Sequence, residues 1–251
     1  MSKMNNFSLK DKVAVVTGGA SGIGNASAYA FADKGAIPVI LDIKDDVDVQ
    51  AKKINPKSIG LKVDITNKRS LTEAKDQIIN KYGHVDIVMN CAGVGLIDKA
   101  ENLSEDYWNT TIKLNLTGTF LTSQVFGKAM IKQGNGGKII NMASQAGIVA
   151  LYKHVAYASS KGGVIMMTEV MAYEWAKYNI QVNAISPEVI LTELGKKAWA
   201  GKAGDDFKRK IPAHRFGKPE EVGSVAVFLA APETNLITGT NIVIDGGYTI
   251  Q

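Results

Sequence analysis

The chain reads as a doubly wound α/β protein, a parallel sheet of about seven strands with helices on both faces. Three observations predict this. Short, near-continuous apolar runs rich in β-branched residues recur along the chain, helical stretches alternate with them, and a glycine-rich turn follows the first run directly. Strands covered on both faces need no polar alternation, and strand–helix alternation lays successive strands parallel.

Lys12–Thr17, Pro38–Asp42, Ser58–Asp64, Val85–Asn90, Lys138–Met142, Ile180–Ser186 and Asn241–Asp245 are the expected strands. Helices are expected near Ile23–Lys34, Lys68–Tyr82, Glu105–Lys132, Val155–Tyr178 and Glu220–Ala230. Leu191–His214 breaks the rhythm, with Gly195, Gly201 and Gly204 among lysines and a pair of acids. An irregular insertion of that length is expected to be a binding loop or lid. No Pro/Gly/Ser-rich linker or shift of composition divides the 251 residues, so residues 1–251 are expected to form one domain.

Hydrophobic residues make up 45% of the chain, enough for a packed core. Subtracting 24 acidic from 29 basic residues leaves +5, but the lysines are scattered singly or in pairs such as Lys52-Lys53 and Lys196-Lys197. That pattern predicts a solvated surface and no nucleic-acid partner. No apolar run approaches the roughly 18 residues of a membrane helix. The polar stretch Met1–Ser8 lacks the apolar region of a secretory signal. A single cysteine, Cys91, excludes an internal disulfide and a cysteine-cluster metal site. The expectation is a cytoplasmic chain with no membrane partner and no metal.

The first strand runs straight into Thr17-Gly-Gly-Ala-Ser-Gly-Ile-Gly24, which opens the first helix. Glycines let the backbone approach a pyrophosphate, and the helix N-terminus offers unpaired N–H groups and a positive dipole end. Gly18, Ser21, Gly22, Ile23 and Gly24 are therefore candidate dinucleotide contacts. Asp42 ends the second strand 18 positions after Gly24, placed to accept from an adenosine ribose. Its carboxylate would repel a 2′-phosphate, so NAD rather than NADP is expected, with Lys44 and the uncharged Gly19 as opposing and supporting signals. Asp64, expected at the end of the third strand, is a candidate acceptor for the adenine amine.

Tyr157-Ala-Ser-Ser-Lys161 puts a phenol and an ammonium on one helix face. A nearby cation favours phenolate, and a tyrosine so tuned exchanges protons with a hydroxyl or carbonyl. Tyr173 and Lys177 share that spacing, but Tyr173 lies 16 residues along, about 24 Å from the sheet's carboxyl edge where ligands bind, and is expected to be structural. Ser144 lies just past the fifth strand at the same edge and is a candidate to orient a substrate oxygen.

Together these residues resemble the short-chain dehydrogenase/reductase family over almost the whole chain, from Lys12 to Asp245-Gly-Gly247. The TGxxxGxG turn is Thr17–Gly24, the NNAG segment appears as Asn90-Cys91-Ala92-Gly93, and the active-site asparagine corresponds to Asn115. The serine matches Ser144 and the YxxxK pair Tyr157 and Lys161. The resemblance implies a Rossmann-type fold and hydride transfer between nicotinamide and an alcohol or carbonyl carbon. Tyr157 would be the acid/base, Ser144 would hold the oxygen, Lys161 would bind ribose and lower the Tyr157 pKa, and Asn115 would support a water linked to Lys161. Further implied cofactor contacts are Ile65, Asn90, Ala92, Gly93, Pro187, Val189 and Thr192.

Two departures from the family pattern stand out: Cys91 for asparagine, and Glu188 where glycine usually follows Pro187. Glycine permits backbone conformations that glutamate avoids, and the Glu188 carboxylate would suit a hydroxylated substrate. The C-terminal Gly-Gly-Tyr-Thr-Ile-Gln resembles polyol and sugar-alcohol dehydrogenases of the family. A polyol or ketose substrate is expected, with Gln145, His154 and Glu188 as candidate contacts beside Ser144 and Tyr157. An NADPH-dependent 3-oxoacyl-thioester reductase and a noncatalytic dinucleotide-binding protein are the alternatives. The broad apolar surface of Val155–Tyr178 and the family's habit predict a homotetramer or homodimer.

Overall fold

A computed structural model describes residues 6–251. Seven parallel strands form one sheet: β1 (Val13–Thr17), β2 (Ile37–Asp42), β3 (Ile59–Lys62), β4 (Ile87–Asn90), β5 (Gly137–Met142), β6 (Ile180–Pro187) and β7 (Asn241–Ile244). Their order is β3-β2-β1-β4-β5-β6-β7. The order reverses between β1 and β4, and such a switch point opens a crevice at the carboxyl edge.

Helices α1 (Gly22–Asp33) and α9 (Pro219–Ala230) cover one face. There Ala14, Val16, Ile40, Ile87 and Met89 meet Ala28, Phe31, Val222 and Ala226. The opposite face carries α3 (Lys68–Tyr82), α5 (Thr119–Gln133) and α6 (Val155–Trp175). Val15, Val39, Leu41, Val88 and Ile139 are buried there against Leu71, Ile78, Phe126 and Met130. Successive strand residues thus feed opposite layers, and both layers are apolar, which is why the strands read as unbroken apolar runs.

Several sequence expectations are revised. A short helix, α2 (Val47–Ile54), occupies a stretch that carried no assignment. β3 ends at Lys62, so Asp64 lies beyond the strand and not at its end. The expected helix Glu105–Lys132 is α4 (Glu105–Ile112), a π-helical turn over Lys113–Gly118, and then α5. The segment 191–214 is not irregular throughout: it holds α7 (Glu193–Ala198) and α8 (Lys202–Lys208). Tyr173 is 89% exposed, so it packs against nothing within this chain. Its helix buries Val164 and Met171 but leaves Met166 and Val170 exposed.

Candidate active site

The glycine turn is built by close packing. Gly18 has φ +64°, and a Cβ there would stand 2.9 Å from Ala92 Cα. A Cβ on Gly24 would meet Gly18 O at 2.5 Å, so only glycine lets α1 start so near β1. Thr17 Oγ1 accepts from Cys91 N and Ala92 N at 3.1 and 3.2 Å, tying the turn to the loop after β4. Ser21 precedes α1 with its hydroxyl uncommitted to capping, and no acidic residue occupies the first turn. Ile23 packs against the core. An anion fits such an end.

Asp42 Oδ2 accepts from Ala20 N at 3.1 Å, and Oδ1 from Lys44 N at 3.3 Å. The acid therefore stands beside the glycine turn, where its charge also stiffens the loop. Asp64 accepts from Thr66 N and Thr66 Oγ1, both at 2.8 Å, closing a local turn. Ile65 is buried and packs on Gly118 of the π-helical turn.

Asn90 ends β4 and is buried. Its Nδ2 donates to Ser123 Oγ at 2.9 Å and Asn141 Oδ1 at 2.8 Å, and Asn141 donates in turn to Thr168. This amide chain crosses the interior from β4 to α6 and fixes Nδ2, while Asn90 Oδ1 is buried without a partner among the described residues. Sequence reasoning missed Ser123, Asn141 and Thr168, which read as unremarkable polar residues.

The π-helical turn carries Asn115 into the space beside Gly93. Asn115 Oδ1 accepts from Val94 N at 2.8 Å, and its Nδ2 donates to Val94 O at 2.9 Å and Ser160 Oγ at 3.2 Å. A Cβ on Gly93 would fall 3.0 Å from Asn115 Oδ1 and 3.9 Å from Lys161 Nζ. Asn115, Gly93 and Lys161 thus converge. Ser160, also overlooked, links Asn115 to the Tyr157 carbonyl, to which it donates at 2.7 Å; its place inside the YxxxK stretch was the available signal.

Ser144, Tyr157 and Lys161 come together at the carboxyl edge. Ser144 stands close enough to Tyr157 to lower its phenol pKa, and Lys161 Nζ lies 5.6 Å from the Tyr157 ring centre. Burial pushes the Tyr157 phenol above its ordinary value, and Ser144 opposes that rise. Lys161 donates to Met142 O at 2.6 Å, and burial pulls its own pKa down to about 8. Desolvation outweighs attraction because both groups are removed from water. Burial likewise lifts the Cys91 thiol to about 12, which leaves it unreactive.

Gln145 is buried next to Ser144 with Oε1 unpartnered. The His154 ring stands edge-on to Tyr157 at 6.0 Å and contacts Tyr152 O through Nδ1 at 2.6 Å. Pro187 ends β6, with its carbonyl 3.5 Å from Ser144 Oγ. Glu188 does not adopt positive φ, so no glycine-like backbone is required there. Val189 O accepts from Gly217 N, and Thr192 caps α7 while its methyl lies near Gly22. The segment 191–214 thereby meets the glycine turn.

A buried phenol beside a serine hydroxyl, with an ammonium near its ring, can hold a hydroxyl or carbonyl oxygen and pass it a proton. A family model described as "Enoyl-(Acyl carrier protein) reductase" matches residues 18–249. The chain is 57% identical over 247 residues to an NAD-dependent glycerol dehydrogenase of Listeria innocua, spanning 98% of this chain and 97% of that one. It is 46% identical over 250 residues to a D-threitol dehydrogenase of Mycolicibacterium smegmatis, spanning 98% and 96%. A solved short-chain type dehydrogenase/reductase from Mycobacterium marinum superposes with a TM-score of 0.92 at 34% identity, covering 98% of both chains. Sequence, sheet order and the gathered Asn115, Ser144, Tyr157 and Lys161 agree that this chain belongs to the short-chain dehydrogenase/reductase family.

Proposed function

We propose that the chain is an NAD(H)-dependent oxidoreductase that interconverts a polyol and its ketose. The observation that carries this reading is the buried Tyr157 beside Ser144, with Lys161 Nζ at its ring and 3.9 Å from where a Gly93 Cβ would stand, next to the loop that packs on the glycine turn. The likeness to glycerol and threitol dehydrogenases supports the substrate class.

The residues fit a dinucleotide: Gly18 and Gly24 clear a cradle that any Cβ would fill, and Asp42 stands beside it. Gly18, Ser21, Gly22, Ile23 and Gly24 would hold the pyrophosphate, Asp42 the adenosine ribose, and Asp64 with Ile65 the adenine. Ala92, Gly93, the backbone of Asn90, and Lys161 would line the nicotinamide half, closed by Pro187, Val189 and Thr192. When bound, the nicotinamide supplies the hydride acceptor for oxidation and the hydride donor for reduction.

Tyr157 takes the hydroxyl proton during oxidation and returns it during reduction. Ser144 donates to the same substrate oxygen and fixes its position. Lys161 compensates charge that develops on the phenol, because its ammonium is the cation buried beside it. Asn115 holds the 93–94 loop through Val94 and would support a water linked to Lys161. Gln145, His154 and Glu188 contact the remaining substrate hydroxyls. Segment 191–214 acts as a lid.

The exposed Met166, Val170 and Tyr173 of α6 form an apolar face suited to a second copy, and we assign a homotetramer or homodimer in the cytoplasm. A light-scattering mass of one protomer would overturn that assembly. No helix among the described residues is long and apolar enough to cross a membrane. The deciding assay follows reduced-nicotinamide absorbance with NAD or NADP against glycerol, threitol and, in reverse, acetoacetyl thioester. Polyol oxidation with NAD supports the reading; turnover of the thioester with NADPH alone rejects it. Binding of NAD with no turnover of any substrate would favour a noncatalytic protein.

A further inference from the structure

The peptide group joining Pro187 to Glu188 lies at the centre of the site. Its carbonyl faces Ser144 Oγ at 3.5 Å, and its N–H donates to Ile244 O at 3.0 Å. Glu188 is therefore anchored one residue from the hydroxyl that holds the reacting oxygen. Neither of its carboxyl oxygens is exposed, and neither has a hydrogen-bond partner among the described residues. A buried polar group without a partner costs free energy, so one kept beside a reaction centre marks where a ligand completes the pairing.

Two charged groups act on it, one just after β7 and one in the loop before α9. Asp245 opposes its ionisation, and Arg215 favours it. The Arg215 guanidinium is already clamped by Glu221 of α9 at 2.7 and 2.8 Å, and so does not pair with Glu188. Asp245 is held by Gly247 N, Thr249 N and Thr249 Oγ1.

We propose that Glu188 is a specificity-determining residue whose carboxyl hydrogen-bonds a substrate hydroxyl other than the one being oxidised. This rests on the polyol reading and names the residue that enforces it. Burial lifts the carboxyl to about 8, and Asp245 adds to the rise. Near neutral pH the acid is protonated, and it donates through O–H while accepting through C=O. A hydroxyl can do the converse on both counts. A methyl group in its place leaves the carboxyl orphaned, and a substrate carboxylate brings a second negative charge toward Asp245.

Two measurements on the whole protein test this. In the wild type the KM for glycerol or threitol should rise above about pH 8, as the donor is lost, while the KM for NAD stays flat. Glu188→Gln keeps a donor and an acceptor at every pH and should abolish that rise; Glu188→Leu should raise the polyol KM roughly tenfold at all pH values. An identical pH-dependent rise in Glu188→Gln, or an unchanged KM in Glu188→Leu, overturns the proposal. Independently of turnover, infrared difference spectra of wild type minus Glu188→Gln at pH 7 should show a protonated-carboxyl band that glycerol shifts. A band that glycerol leaves in place also overturns it. A shifted band in a protein that oxidises no polyol would retain the contact and reject the proposed reaction instead.

Discussion

Replacing Asn115 with alanine tests the structural half of the site directly. The side chain is fully buried and satisfies both polar groups of Val94, at 2.8 Å to the N–H and 2.9 Å to the carbonyl. Val94 is half-buried, so each of its groups left unpaired costs at most about 1–3 kcal/mol, and two give at most about 2–6 kcal/mol. Water entering the space vacated by the amide recovers part of this, leaving about 2–4 kcal/mol. That is a large fraction of the roughly 5–15 kcal/mol holding a typical domain together. For a chain of this size it lowers Tm by about 4–16 °C. Urea unfolding of wild type and variant at one protomer concentration measures the difference. Turnover should fall as well, because the 93–94 loop no longer holds its position beside Lys161. A loss below about 0.5 kcal/mol would refute the reasoning, since it would mean that Val94 finds other partners at no cost.

Tyr157→Phe should retain NAD binding, read by fluorescence titration, and lose turnover by roughly 100-fold or more, the range expected of a positioned acid/base. Asp42→Ala should lower discrimination against NADP by about tenfold in kcat/KM and loosen the glycine turn, which loses the acceptor for Ala20 N; unchanged selectivity would move that role elsewhere. Lys138 is buried with Nζ unpartnered, and burial pulls its pKa from 10.5 to about 8. The folded state thus binds fewer protons than the unfolded chain between about pH 8 and 10.5. Its cost is full below pH 8 and fades as pH rises toward 10.5. Lys138→Met should therefore stabilise the fold by about 1–3 kcal/mol at pH 7 and by almost nothing near pH 10.5, read by urea unfolding at both pH values.

The strands were legible because both sheet faces are covered: Val13–Val16 and Val39–Leu41 need no polar alternation and stand out as apolar runs. The glycine turn and the YxxxK pair were legible because their chemistry is local, set by neighbours within one turn of chain. What the sequence hid is non-local. The tuning of Tyr157 depends on how far its hydroxyl is taken from water, and spacing alone shows only the nearby Lys161. The inward commitment of Asn90 depends on Ser123 and Asn141, far away in the chain. Helix α2 is short, with three charged residues in eight, and α7 and α8 sit among glycines, so none of the three carries a strong periodic signal. Ser160 was in plain view between Tyr157 and Lys161, but its partner Asn115 is 45 positions away.

The wide turn at Lys113–Gly118 sets the rotational phase of everything that follows it. A π-helical turn takes about one more residue than an α-helical one, and each residue advances a helix by roughly 100°. Trimming one residue here would leave α5 intact as a rod but swing Phe126 and Met130 away from the strands they now cover. An insertion or deletion within these six positions should therefore be tolerated far less than one in the loops before α4 or after α5.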